Sequence, residues 1–434
     1  MRSLYDTVKS KISTSDIAHR MFNGASWLVI GLAISKVLVL LGGILCAHIL
    51  GKEQYGQFGM VKSTIGMFLV IGGAGLGVTA TKFIAEFRDR DKSHVSSVYI
   101  LSTLFSLFLA FLIAVLVFLF SNEISIQFLR TASLVSALKM GAVILLFTII
   151  NVVQSGVLSG FEDFKTISIN TLIGSLVEAA GMVAGAHFYG INGAVIGYGI
   201  GFVLIALLNH ISIQRIFRFR EISTSLSLVR REDIKILYNF TLPAAVSTLL
   251  AGPTFWVIRT IIVKYCDYGE LAIYDVGDQW KIFILFVPST LTQILLPILS
   301  SINKDDSNKF WKVLNVNLLM NASAAFAIAV VVCLVSNVIM GMYGKGFDDP
   351  VPLMLLAFST VFTSTSVVLG NSITSIGKIW VLCAFNIIWS GVAILLSYVF
   401  VRCGLKSSGV ALALLIAYIE NTIVQYIYLK YVKK

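Results

Sequence analysis

Nine ionisable side chains in this sequence fall inside runs that are otherwise apolar. Lys36, Glu178 and Glu420 lie near the middle of three such runs, and Lys62, Lys139, Arg259, Asp275, Asp278 and Lys281 lie nearer the ends of four others. A charge held at bilayer depth costs about 2.5–3.5 kcal/mol on insertion scales, so each is expected to face protein or water. Asp275, Asp278 and Lys281 recur every three residues, which puts them on one helix face and implies a wet cavity extending inward along it. Glu178 or Glu420, if unpaired at that depth, would be suited to carrying a proton. A partnership between Lys36 and one of them would instead be structural. Arg259 and Lys62 are within about a turn of the interface, where a long side chain can simply snorkel to water.

The elements that must hold these groups are membrane helices. The chain has 434 residues, 57% of them hydrophobic and 13% charged, with a mean hydropathy of +0.89. That composition excludes a soluble surface, a disordered chain and nucleic-acid binding as a main activity. Its apolar runs are continuous, not alternating, which excludes an outer-membrane barrel. A span needs about 20 apolar residues. Twelve such spans are predicted, at residues 25–50, 60–85, 97–120, 131–159, 166–187, 190–213, 236–263, 272–300, 313–340, 351–371, 379–401 and 408–431, with ends good to about four residues. The expected fold class is therefore an all-α integral membrane protein.

An even count puts both termini on one side, and the distribution of basic residues decides which. Of 33 Lys and Arg, 22 lie on the terminal side, 6 on the opposite side and 5 within spans, so both termini are predicted to be cytoplasmic. The net charge of +11 is thereby explained by topology and by contact with anionic lipids. The predicted organisation is a cytoplasmic segment at 1–24, a first lobe of six helices at 25–213, a basic cytoplasmic linker at 214–235 and a second lobe at 236–434.

An offset of 213 residues lays Tyr55-Gly56, expected in an outer loop, over Tyr268-Gly269, Lys62 over Asp275 and Gly75 over Pro288, which suggests that the lobes are repeats related by an axis normal to the membrane. Pro243, Pro253, Pro288 and Pro297 all fall in the seventh and eighth spans and are candidate hinges, although proline is tolerated in membrane helices generally. Gly72, Gly73, Gly75 and Gly77 in the second span, Gly181 and Gly185 in the fifth, and Gly193, Gly197 and Gly201 in the sixth suit close helix packing.

Gly-Lys at Gly51, Gly344 and Gly377 is never followed by Ser or Thr, so there is no phosphate-binding loop for ATP. The five cysteines and five histidines lack paired or metal-ligating spacing. No metal or cofactor is expected. No predicted outer loop exceeds about ten residues, which leaves little room for catalytic loops. A carrier fits better than an enzyme.

At LGKEQYGQFGMVKSTIGMFLVIGGAGLGVTATKFIAEFRDRD and again at YDVGDQWKIFILFVPSTLTQILLPILS, the chain resembles polysaccharide flippases of the Wzx type, within the multidrug/oligosaccharidyl-lipid/polysaccharide exporter superfamily. The resemblance implies two six-helix lobes around a central cavity that opens alternately to each side of a bacterial inner membrane. The substrate would be an undecaprenyl-diphosphate-linked oligosaccharide, moved to the periplasmic leaflet for O-antigen or capsule synthesis. The family's cationic lumen would correspond to Lys36, Lys62, Arg259 and Lys281, with Lys139 as a further candidate. Its coupling acids, binding a proton or sodium ion, would be among Glu178, Asp275, Asp278 and Glu420. A polysaccharide polymerase and a chain-length regulator are the protein partners it suggests. Two other readings remain open: a cation-coupled drug or metabolite antiporter of the same superfamily, and a non-transporting scaffold for glycan assembly.

Overall fold

A computed structural model of the chain describes residues 16–225, 229–236, 241, 249–292 and 307–432. The protein is an all-α membrane protein whose described residues form twelve principal helices, six in each of two lobes. The first lobe begins with a single helical rod, Asp16–Gly73, bent at Gly51, whose φ of 74° and ψ of 169° suit only glycine. The bend separates α1 (16–50) from α2 (52–87). Then come α3 (Lys92–Leu119), α4 (Val135–Gly160) and a second bent rod, Phe164–Phe219, which folds back at Tyr189 and Gly190 into α5 (164–188) and α6 (191–219). The second lobe contains α7 (Ala251–Tyr265), α8 (Tyr268–Ile284, resumed as Phe286–Thr292), α9 (Ser307–Leu334), α10 (Val351–Ser375), α11 (Ile379–Arg402) and α12 (Lys406–Val432).

Two expectations about ends are corrected. Helix α1 is already helical at Asp16, the first described residue and nine ahead of the apolar run, and no loop follows it. Tyr55-Gly56, expected in an outer loop, lies in the first turns of α2, and Tyr268-Gly269 opens α8 behind the cap of Asp267. Hydropathy marks where a chain is greasy, whereas a helix continues through polar residues as long as its backbone bonds are satisfied.

Within the first lobe α5 and α6 pack through glycines. A Cβ at Gly185 or Gly197 would overlap the facing backbone of Gly193 or Gly181, so this seam exists only because those side chains are absent. The outer faces carry exposed apolar residues such as Phe108, Phe111 and Leu395, as a lipid-facing surface requires.

Helices α2 and α8 are both interrupted. In α2 the break is at Ala74 and Gly75, where Gly75 takes a φ of 74°. In α8 it is at Leu285, one turn ahead of Pro288, whose missing N–H and bulky ring cannot accommodate a regular bond to the Ile284 carbonyl. The register that lays Gly75 over Pro288 therefore brings two real breaks within about a turn of each other in the two lobes. Pro253 is the third residue of α7, a position where an N–H has no intrahelical partner to lose. Pro243 and Pro297 lie outside the described residues.

The lobes meet at the end of the bundle away from the termini. Gly56 packs against the Tyr268 backbone, and the Gln279 amide donates to the Tyr55 hydroxyl at 2.6 Å. Tyr55 also stands 6.2 Å, centroid to centroid, from both Tyr343 and Phe347 of the second lobe. A second seam runs between α2 and α7, where the Trp256 indole donates to the Thr64 hydroxyl at 3.0 Å, and further along α2 the Thr79 hydroxyl is 2.8 Å from that of Thr241, which precedes α7 in the chain.

Candidate functional site

A cavity of about 380 Å³, lined mainly by the first lobe and bordered by α8 of the second, collects three of the nine charged candidates. Lys36 enters from α1, Lys62 from α2 and Glu178 from α5, with Tyr198 of α6 beside them and Gln279 of α8 closing the far wall. Lys62 holds its ammonium over two rings, 5.4 Å from the centroid of Phe58 and 5.2 Å from that of Tyr198. That cation–π contact positions the charge without cancelling it. Neither Lys36 nor Lys62 has an ion-pair partner within 4.0 Å among the described residues. Glu178 is 6% exposed and is backed by Gly201, where a Cβ would come 2.6 Å from its own. Its carboxylate makes no hydrogen bond to any described residue.

Lys62 also borders a smaller cavity of about 210 Å³ whose wall includes Arg259, Asp275 and Asp278. Here the charges are spent on one another. The Arg259 guanidinium donates from Nε to Asp275 Oδ1 at 2.9 Å and from Nη2 to Asp278 Oδ2 at 2.7 Å, and Lys281 Nζ reaches Asp278 Oδ1 at 2.7 Å. The α7–α8 turn sets this up, because two antiparallel helices joined by a tight connection bring Arg259 opposite the acidic face of α8. Two cations and two anions sum to zero. Arg259 and Lys281 are thus paired members of a buried network, with Asp275 and Asp278 as their counter-ions. The second Asp275 oxygen, Oδ2, faces Gly59 of α2, where any Cβ would overlap it, and has no hydrogen bond among the described residues.

Two candidates leave the site. Lys139 is exposed on the surface of the first lobe, with its ammonium 5.2 Å from the Phe118 ring centroid. Glu420 is partly exposed on α12 and lines neither of these two cavities. Tyr198 and Gln279 belong to the site but carry no charge, so nothing in an inventory of misplaced charges points to them. A separate cavity of about 410 Å³ lies in the second lobe among α7, α10, α11 and α12, and no charged side chain lines it among the described residues.

This architecture is that of known carriers. The fold matches the inward-facing conformation of a multidrug resistance transporter of the multidrug/oligosaccharidyl-lipid/polysaccharide superfamily with a TM-score of 0.80, covering 94% of this chain and 98% of that one at 16% identity. The outward-facing conformation gives a TM-score of 0.69 over 95% of each chain, also at 16% identity. The chain belongs to the polysaccharide biosynthesis protein family, whose model matches residues 21–303. It is 23% identical to the EPS I polysaccharide export inner membrane protein EpsE of Ralstonia nicotianae, over 92% of this chain and 91% of that protein. It is 22% identical to a Shigella flexneri protein designated, provisionally, an O-antigen transporter, over 81% and 84% of the two chains.

Proposed function

We propose that the protein is a flippase that carries undecaprenyl-diphosphate-linked oligosaccharide units from the cytoplasmic to the periplasmic leaflet of a bacterial inner membrane, with both of its termini in the cytoplasm. Membership of a polysaccharide biosynthesis family, a carrier fold and relatives named for polysaccharide export all support a transporter over an enzyme. The observation that carries the reading is the pair Lys36 and Lys62, two cations in one cavity with no carboxylate in ion-pairing reach among the described residues. A diphosphate is the natural counter-ion for such a pair, through charge-assisted hydrogen bonds.

The physical need is plain. Each sugar hydroxyl moved into alkane without a partner costs about 4–8 kcal/mol, so unassisted flipping is negligibly slow. A polar route between the lobes removes that cost while the lipid tail stays in the bilayer. With the cytoplasm negative, a dianion moving outward gains about 2.3 kcal/mol per charge per 100 mV. Glu178, at the edge of the same cavity, is the candidate proton-coupling acid, and the neutral network around Arg259 holds α7 to α8 while the lobes rock. Deleting the gene should trap lipid-linked repeat units in the cytoplasmic leaflet, and the wild-type protein should release them. Normal leaflet distribution in the deletion strain, with drug efflux from proteoliposomes bearing the purified protein, would instead establish the antiporter.

A further inference from the structure

We propose that the second-lobe cavity, whose described lining carries no charge, is a subsite for the neutral sugar rings of the substrate, an inference that rests on the flippase reading. Its volume of about 410 Å³ falls within the range of about 300–1,000 Å³ typical of small-molecule sites. Four amides line it, Asn371 of α10, Asn386 of α11, and Asn421 and Gln425 of α12. An amide offers two donors and an acceptor, the complement of a hydroxyl that both gives and receives. A lysine or a carboxylate offers only half of that.

Amides inside a membrane bundle often serve as glue between helices, and two of these do. Gln425, 1% exposed, donates to Asn421 Oδ1 at 3.0 Å, and Asn421, 5% exposed, donates to Ser366 of α10 at 3.0 Å. That chain fixes both amides and leaves the Gln425 carbonyl oxygen without a partner among the described residues. Glue does not account for Asn371 and Asn386, which make no hydrogen bond to any described residue although they line a cavity between apolar helices. Beside them Trp389, 6% exposed, packs against Phe255 and Tyr418 at centroid distances of 5.8 and 5.1 Å, and its indole N–H is also unpartnered among the described residues. A rigid aromatic plane next to unspent amides matches a pyranose, which presents a C–H face and a rim of hydroxyls. The two lobes would then divide the substrate, the charged cavity taking the diphosphate and the neutral one the sugars.

The test uses the full-length protein in lipid nanodiscs and two probes: undecaprenyl diphosphate, and the same lipid bearing the saccharide unit, extracted from a polymerase-deficient host. Asn386→Leu and Trp389→Leu are each expected to weaken binding of the glycosylated lipid about tenfold, as loss of one or two hydrogen bonds implies, with binding of the sugar-free lipid unchanged. Free saccharide should compete with the glycosylated lipid and not with the sugar-free one. Equal weakening of both lipids, or of neither, would overturn the subsite while leaving the flippase reading intact. Failure of the wild-type protein to bind either lipid would overturn both. Asn386 is partly exposed, so its variant keeps the test decisive if Trp389→Leu does not fold.

Discussion

Gly56 of α2 lies directly against the carbonyl of Tyr268, the first residue of α8, so that any side chain at position 56 would occupy the space of that oxygen. The two Tyr-Gly dipeptides that mark the repeat are therefore part of the surface on which the lobes close. Gly56→Ala should oppose that closure, because forced overpacking typically costs about 1–3 kcal/mol. The corresponding shift in the balance of closed and open forms is about 5- to 150-fold. Cys46 is fully buried near this end of α1, so in a variant lacking the other four cysteines its labelling by a polar thiol reagent should accelerate when Gly56→Ala is added. Unchanged labelling would mean that the seam does not gate access.

The Arg259 network predicts an asymmetry between single and double replacements. Arg259→Ala leaves Asp275 and Asp278 facing each other in a buried site, and breaking a buried pair by removing one partner costs about 3–5 kcal/mol. Asp275→Asn alone removes one anion and leaves Arg259 with Asp278. The double variant Arg259→Ala/Asp275→Asn should be more stable than Arg259→Ala alone, because Asp278 keeps Lys281 at 2.7 Å. Thermal unfolding in detergent measures this. A double variant no better than Arg259→Ala would show that the carboxylates are not repelling each other.

Much of this could be seen in the sequence, and what could not has identifiable causes. The spans are legible because the demand of lipid on backbone and side chain alike is written as apolar runs. The helix-eight triad at Asp275, Asp278 and Lys281 is legible because periodicity is local. That Arg259 closes on it is not, since the pairing depends on how α7 and α8 lie side by side. Lys139 and Lys62 look alike in sequence, each a lysine in the outer part of a span. Only the rotation of each helix about its axis sends one to the lobe surface and the other into the cavity. Asn371 and Asn386 do not stand out in the sequence because an amide is neutral and membrane helices commonly carry amides as interhelical glue.

On the terminal side, Asp91 caps α3 and ties it to the segment that leads into the second lobe. Its carboxylate accepts from the Ser93 hydroxyl and backbone and from His94, and Arg230 Nη2 lies 3.3 Å away. These donors, Ser93 first and His94 next, hold the carboxyl well below the usual carboxylate range. The folded state therefore favours the ionised form, and the contribution is fully present at neutral pH and down to the ordinary aspartate value of about 3.9. It is lost only as pH falls below that, through the depressed folded value. Amide exchange at residues 93–95 should stay slow from pH 7 to about 4 after correction for intrinsic rates, and Asp91→Ala should raise it throughout that range. Equal exchange in variant and wild type would remove the cap from the account.

The cavity charges divide into those expected to bind and one expected to couple. Lys36→Ala and Lys62→Ala should each weaken undecaprenyl diphosphate binding and lower export, since a hydrogen bond to a charged group contributes about 1.5–3 kcal/mol, or roughly ten- to a hundredfold in Kd. Lys139→Ala, on the lobe surface, should do neither, and an equal loss in that variant would mean that surface charge and not the cavity is being measured.

Glu178→Gln is expected to behave differently from the lysine variants. It keeps the volume that packs against Gly201 but cannot gain or lose a proton, so binding should persist while flipping no longer responds to a pH gradient. In proteoliposomes carrying a fluorescent lipid-linked sugar, the wild-type rate should change when a gradient is imposed at constant membrane potential, and the Glu178→Gln rate should not. The potential alone should still drive both, since the substrate carries its own charge. A Glu178→Gln protein that keeps the full gradient response would show that the proton, if one is used, is carried elsewhere. Glu420 on α12 would then be the next residue to replace, because its Oε2 is buried without a partner among the described residues.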